Sequence, residues 1–521
     1  MNENEKKLDS ETNEPIPPSS GDQNYDANKS ELVLGLVAPV GTDLTTFEDL
    51  IEAELAKYLY EVNIVKLSKF LESPDWVRVS GQQIDRSSQF LRYETLMTAG
   101  NNIRDKKGQS FLAQLGIYAI ASDRELDEQG NAMPLKRKVH ILHSLKHRKE
   151  IEILREVYGE GFFLIGLYSS RNDRIAFLKR KEISETDATS LILRDYDDNE
   201  RFGQQTSKVF ELSDVFINLR SDHQDQAREE IKRFLGLLFG YPFTTPSPDE
   251  HAMFLAYAAS LRSGSLARQI GAVVATKSGD IVSTGTNDVP RFGGGQYWDG
   301  SDDARDFQRR FDANTSIRNG ILTELLDRVA DADSLLPADQ KEQIKSASPE
   351  EKLALGKKIF KGTALFGLTE YMRDVHAEME ALLCCVRVGI SVKGGTLYCT
   401  TFPCHNCAKH IVDAGIERVV YVEAYPKSKA VDLHSDSISI DGNVDKKVSF
   451  EPFIGIGPRR YFDLFSMSLG TGREKIRKDD DGNTTKWAES SSIPRLQMKH
   501  IAYLDREVRV TEEVQKLLKE P

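Results

Sequence analysis

The sequence predicts an α/β protein made of two sheet-containing domains, and three observations carry that expectation. Short, wholly apolar runs such as Leu32-Val33-Leu34-Gly35-Leu36-Val37 read as strands buried on both faces. Stretches with helical spacing alternate with them, which implies parallel strands joined by crossover helices. The chain also has 521 residues, more than the ~100–200 of one ordinary domain.

Each segment follows in order. Residues 1–30 hold only Met1, Leu8, Ile16, Tyr25 and Ala27 as apolar side chains, and three lysines against seven acids leave them a net charge of −4. Such a tail cannot bury enough surface to offset its ordering entropy and is expected to be disordered. From Leu32 a strand leads through a turn at Pro39-Val40-Gly41 into helical spacing from Leu44. Further buried strands are expected at 139–142, 162–167 and 215–219, with a helix over 149–158, so a parallel-sheet domain spans 31–240. The proline-rich stretch Tyr241-Pro242-Phe243-Thr244-Thr245-Pro246-Ser247-Pro248 reads as a linker.

The second domain is expected over 245–475. It opens with a helix at 249–262 and a hairpin, Ala272-Val273-Val274-Ala275 and Ile281-Val282-Ser283-Thr284, turning at Gly279. A helical insertion over about 292–370 interrupts it. A helix at 375–388, a strand at 396–400, a helix at 408–414 and a strand at 419–422 then restore the α/β rhythm. A C-terminal extension, 476–521, ends in a charged helix.

Composition excludes several functions. With 69 Lys and Arg against 81 Asp and Glu, the net charge is −12. This is a poor balance for a general polynucleotide binder, because affinity for a phosphate backbone comes mainly from Lys and Arg. Five cysteines are too few for a disulfide framework in a chain of this length, and a clustered pair in a reducing compartment points to metal. No apolar run nears the ~18–20 residues that cross a bilayer, and the N-terminus lacks a signal-peptide pattern. A soluble, cytoplasmic protein with no membrane partner is expected.

One constellation carries chemistry: His376-Ala377-Glu378 with Pro403-Cys404-His405-Asn406-Cys407. Cys404 and Cys407, at i and i+3 where a helix starts, share a face, and with the His376 imidazole they make three ligands for tetrahedral Zn2+. The fourth position is left for a water whose pKa the metal lowers toward ~7. Glu378, two residues from the histidine, is placed to take that water's proton and return it to a reacting ring. H-x-E with P-C-x-x-C is the signature of zinc-dependent nucleobase deaminases. Cys384, Cys385 and Cys399 read as packing thiols, and His405 and His410 as residues beside the motif and not ligands.

With Ala414-Gly415-Ile416 and, upstream, Arg268-Gln269-Ile270-Gly271-Ala272-Val273-Val274 and Ser283-Thr284-Gly285-Thr286-Asn287, this constellation resembles the deoxycytidylate deaminase branch of the cytidine deaminase superfamily. The resemblance implies a three-layer α/β/α fold for the second domain, a substrate-sugar contact for Asn287 and stacking on the nucleotide for Tyr425. It departs from the family in that His376 lies 89 positions after Asn287, where the family has a short segment. Arg262, Arg268, Lys427, Arg459 and Arg460 are the basic positions of the second half open to phosphate contact.

The first domain begins where a phosphate-binding loop belongs, but the loop is broken. Taking Gly41 as the second glycine of G-x-x-x-x-G-K-[ST] puts Thr42 at the lysine and Asp43 at the hydroxyl. Letting Thr45 supply the hydroxyl puts Leu44 at the lysine. Neither frame has the cation that stabilises phosphoryl transfer. The domain therefore reads as P-loop kinase-like in architecture and as regulatory or nucleotide-sensing in role, with Gly41, Thr42 and Thr45 as its nucleotide contacts; a purely structural role stays open. This domain order, with Gly457-Pro458-Arg459-Arg460-Tyr461 downstream, is similar to the bacterial anti-phage dCTP deaminases. That resemblance implies zinc-dependent conversion of dCTP, and of dCMP, to the uracil nucleotide in antiviral defence. It also implies a nucleotide or small RNA acting at the N-terminal domain, and a homo-oligomer.

Two rival readings remain at this level: a tRNA or single-stranded DNA deaminase, and a nucleotide sensor with a structural zinc site. The acidity bears on the first. Oligonucleotide binding by the purified chain is expected to be weak, with little dependence on salt; a binding constant that falls steeply as salt is raised would favour the polynucleotide editor.

Overall fold

The computed structural model of the protein describes residues 30–196, 203–220, 224–332, 335–425, 428–440, 442, 444–470, 472–496, 498 and 500–519. The predicted tail, apart from Ser30, and Lys427 lie outside the described residues. Two compact units divide the chain between Thr245 and Pro246 and again between Ile454 and Gly455, so that the segment from Gly455 onward belongs with the first.

In the first unit, β1 (Glu31–Val37), β2 (Glu61–Lys66), β3 (Lys138–His143), β4 (Phe162–Tyr168) and β5 (Val215–Asn218) form a parallel sheet in the order β5-β4-β1-β3-β2. All seven residues of β1 are buried. Its side chains alternate between two cores: Leu32, Leu34 and Leu36 join Phe47, Ile51 and Phe234 on one face, while Val33 and Val37 join Ile103, Leu115 and Leu154 on the other. A strand covered on both faces has no polar side, which is why its sequence reads as an unbroken apolar run. β2, which the apolar-run criterion passes over, lies at the sheet edge with only Val65 buried.

The sequence reading ended the second domain at 475; the structure turns back to the first unit at Gly455. Gly455–Ile456 adds an antiparallel strand to the edge of the first sheet beside β5. Arg460, expected to be open to phosphate in the deaminase half, is instead buried in the first unit and donates through Nη2 to the Phe162 carbonyl at 2.7 Å. The helix His500–Lys519 sets Val510 and Val514 into the same core as Val33. A buried ion cluster ties it down. Arg124 donates to Glu31 at 2.9 Å through Nη1 and to Glu507 through Nε at 2.6 Å and Nη2 at 2.8 Å. Glu31 is also bonded to the Tyr503 hydroxyl and to His140 Nε2, the latter at 3.1 Å.

In the second unit, β6 (Gly271–Ala275), β7 (Ile281–Thr286), β8 (Thr396–Thr401), β9 (Arg418–Glu423), β10 (Ile438–Ser439) and β11 (Val448–Pro452) form a sheet in the order β10-β11-β9-β8-β6-β7. Only β6 runs antiparallel to its neighbours β7 and β8. The helices Pro248–Ser260 and Ala377–Val388 lie against this hairpin through glycine. A Cβ on Gly271 would stand 1.9 Å from the Ala256 carbonyl oxygen, and one on Gly285 2.1 Å from that of Ala377. Gly271 pairs with Thr286 and Gly285 with Ala272, so the two glycines present opposite faces and the helices cover both sides of the sheet. The inserted helices Ala313–Asp331, Ala338–Ser346 and Pro349–Ile359 include a small core of their own, Leu326, Ala330 and Ile344. At its base Asp288 and Val375 pair backbone to backbone at 2.9 and 3.3 Å.

Glu507→Ala leaves the buried Arg124 with one of its two carboxylates and is expected to destabilise this unit by about 3 kcal/mol, the low end for breaking a buried pair. Glu513→Ala, at an exposed contact on the same helix, is expected to change stability by under ~0.5 kcal/mol. Chemical denaturation followed by circular dichroism measures both; equal effects would show that the cluster contributes nothing.

Candidate active site

Two helix N-termini converge to make the site. His376 is the N-cap of the helix Ala377–Val388, and Cys404 the N-cap of the helix His405–Asp413, which leaves β8 through Pro403. Cys407 sits one turn inside that second helix, and its backbone N–H donates to Cys404 Sγ at 3.4 Å. Both thiols therefore lie at the positive end of a helix dipole, which favours the thiolate.

The ligand atoms of His376, Cys404 and Cys407 all lie within 4.8 Å of one another, the one such His/Cys/Asp/Glu group among the described residues. His376 Nδ1 stands 3.4 Å from each sulfur. Zinc bonds of ~2.3 Å to sulfur and ~2.0 Å to nitrogen at tetrahedral angles give an edge of about 3.5 Å, so the donor set fits the ion. The cluster shares its protons unequally. The Cys404 thiol is held down to about 4, first by its hydrogen bond with Cys407 and then by His376. The His376 imidazole is raised to about 9, first by its hydrogen bond with Cys404. Cys407, as donor to that thiolate, is pushed up. Cys404 is thus the thiol already in the form that ligates metal, while His376 and Cys407 would each give up a proton on binding it.

Glu378 lies in the first turn of the helix Ala377–Val388, 4 % exposed. Burial raises its carboxyl above the usual range, with His376 and Cys404 as its nearest charged influences. A carboxyl displaced in that direction is a better proton acceptor than a solvated one.

At the rim, Tyr425 is half-buried and packs against the core that contains Cys404 and Cys407. The Arg268 guanidinium lies 5.8 Å from its ring centre and is ion-paired with Glu423. Glu423 also accepts from Thr401 Oγ1 at 2.8 Å. Sequence reasoning missed Thr401 and Glu423. They are register partners at the C-terminal ends of the parallel pair β8 and β9, the end where open α/β sheets place their ligands, and that rule was the available signal.

Asn287 is buried, and both ends of its amide hold backbone: Oδ1 accepts from Ile270 N at 2.7 Å and Nδ2 donates to the Arg268 carbonyl at 2.8 Å. It thus anchors the segment that carries Arg268. Arg262 is held by Gln296 Oε1 at 2.6 Å and the Tyr297 carbonyl at 2.9 Å, stacked on Trp298. Cys385 bonds to Ser283, and Cys399 is buried in β8. Gly41, Thr42 and Thr45 belong to the first unit. Gly41 has φ +88° and Thr42 Oγ1 donates to the Pro39 carbonyl at 2.8 Å, while Thr45 is exposed and Asp43 caps the helix Leu44–Ala56.

Residues 246–423 match the cytidine and deoxycytidylate deaminase zinc-binding region. The deoxycytidylate deaminase of Enterobacteria phage T2 is 46% identical over 56 residues, 11% of this chain and 30% of that protein. ComE operon protein 2 of Bacillus subtilis (strain 168) is 45% identical over 53 residues, 10% of this chain and 28% of that protein. The chain therefore spans under a third of the length of these relatives. The crystal structure of dCMP deaminase from the cyanophage S-TIM5 in apo form is 17% identical and aligns over 40% of this chain and 100% of its own, with a TM-score of 0.21.

The purified protein is expected to carry about one zinc per chain. His376→Ala and Cys407→Ser are each expected to lose it, and Cys399→Ser to keep it. Elemental analysis decides, and stoichiometric zinc in Cys407→Ser would contradict the ligand set.

Proposed function

We propose that this protein is a hydrolytic deaminase of deoxycytidine nucleotides, acting on dCTP and also on dCMP, and that it lowers the dCTP available to an infecting phage. The observation that carries the reading is Glu378, buried beside a His–Cys–Cys cluster in a segment similar to deoxycytidylate deaminases. When bound by His376, Cys404 and Cys407, zinc supplies the Lewis acidity that makes water a nucleophile near neutral pH.

Glu378 accepts the proton that water sheds and delivers it to the pyrimidine ring and the departing amine, so that C4 exchanges its amino group for oxygen and ammonia leaves. Its raised pKa suits both halves of that transfer. Tyr425 offers a ring on which the base or sugar packs. Arg268, about half exposed beside that ring, offers a cation to the 5′-phosphate once it releases Glu423. Asn287 has one amide hydrogen beyond its bond to the Arg268 carbonyl, which is available to the sugar. The first unit is assigned a regulatory role, with Gly41, Thr42 and Thr45 as its nucleotide contacts, on the ground that its first loop lacks the lysine that phosphoryl transfer requires.

Ammonia release from dCTP, dCMP, cytidine and deoxyadenosine nucleotides tests the reading. Activity is expected on the deoxycytidine nucleotides, and Glu378→Ala is expected to keep zinc while losing at least ~10²–10⁴-fold in rate. Wild-type-like turnover by that variant would sink the mechanism, and ammonia from none of the substrates would favour the sensor.

A further inference from the structure

The first unit holds a cavity of about 270 Å³ that the deaminase chemistry does not use. It opens between the loop 38–44 after β1, residues 143–146 after β3, and the helix Gln89–Lys107. This is the C-terminal end of the central strands, where α/β sheets bind ligands. The decisive group is Arg104. Its side chain is 2% exposed, its Nε donates to Glu150 at 2.9 Å, and its Nη1 lies buried without a partner on the cavity wall. A buried guanidinium nitrogen left unbonded is unfavourable, and an anion in the cavity would satisfy it.

Glu150 does not swing to do so, because its other oxygen accepts from the backbone N–H of Lys146 and His147 at 2.7 and 3.0 Å. Two further cations border the space, Arg92 paired with Glu72 and Lys146 paired with Asp195. The rest of the wall is largely apolar, with Leu96 and Met97 beside the ring of Tyr93. One anionic end and one flat apolar side describe an amphipathic ligand. The volume is at the lower limit of small-molecule sites, which begin near ~300 Å³ and favour a ligand of one base, one sugar and one phosphate.

We propose that this cavity binds a nucleoside 5′-monophosphate, with its phosphate on Arg104 and its base against Tyr93 and the apolar wall. Gly41 and Thr42 also line this cavity, so the site takes in two of the three contacts named above; it is set apart from a phosphate loop by its anion contact, which comes from the helix Gln89–Lys107. It stands independently of the reaction proposed for the second unit.

Isothermal titration of the full-length protein with thymidine and deoxyguanosine 5′-monophosphates, neither of which carries a 4-aminopyrimidine, and with inorganic phosphate tests it. Gly100 lies on the same helix, and a Cβ there makes ordinary contacts of 3.5 Å with Arg104 Nη1 and 3.8 Å with Leu71. Gly100→Leu therefore fills the cavity beside Arg104 Nη1 and leaves the Nε bond to Glu150 in place, and Leu96→Phe narrows it from one turn earlier on that helix should that variant fail to fold. At least one nucleotide is expected to bind, about tenfold or more tighter than phosphate, and the folded variant is expected to lose that binding event. Absence of nucleotide binding, binding unchanged in the folded variant, or phosphate bound as tightly as the nucleotides would each overturn the proposal.

Discussion

The approach of the helix Ala377–Val388 to β7 at Gly285 sets where the reactive groups of the second unit meet. No side chain fits between that strand and the Ala377 carbonyl, so the N-terminus of the helix is seated directly on the sheet. His376 and Glu378 are thereby held at one depth, facing the turn from β8 into Pro403. The partner thiols arrive at the same depth because a second helix begins there. Two helix ends with positive dipoles favour thiolate at Cys404, while burial makes the Glu378 carboxyl hold its proton more firmly than a solvated one would. Removing that close packing would shift the imidazole relative to the sulfurs, and the 3.4 Å separations that suit zinc would be lost.

The insertion of about 292–370 lengthens the path from Asn287 to His376, yet its cost to the site is small. Asp288 and Val375 form a backbone bridge, so the chain leaves and re-enters at one point, and the turn carrying Asn287 and the helix carrying His376 remain neighbours. Closing a long loop costs only logarithmically more than closing a short one. The inserted helices have apolar contacts of their own at Leu326, Ala330 and Ile344, which limits what they demand from the sheet.

Much of this was legible in the sequence where the signal was local. The i and i+3 spacing of Cys404 and Cys407 and the H-x-E step are properties of a single helix turn, so they survive without knowledge of the fold. The central strands were legible because burial on both faces leaves them almost wholly apolar, with Glu31 and His140 present as members of the buried ion cluster. β2 was not, since an edge strand alternates like any surface segment. The boundary at Ile454 was also hidden: the strand Gly455–Ile456 is two residues long and its pairing with β5 is a long-range choice. For the same reason Arg460 read as a surface cation, although its guanidinium is spent on a carbonyl of β4. The side-chain bonds of Asn287 were invisible for a different reason, because an asparagine after a strand looks alike whether it meets a sugar or its own backbone.

The ion cluster of Glu31, Arg124 and Glu507 joins the first residue of β1 to the closing helix, across an intervening unit of about two hundred residues. On the ribosome this imposes an order. The β1-centred sheet precedes the second unit but keeps Arg124 and Glu31 without Glu507 until that unit has been made, so the second unit has its whole sheet available earlier. A nascent chain halted after Ile454 would contain His376, Cys404 and Cys407 yet lack the carboxylate and apolar helix face that finish the first core. Such a fragment exposes Val33's core to proteases and chaperones, so truncated products would be removed through the first unit.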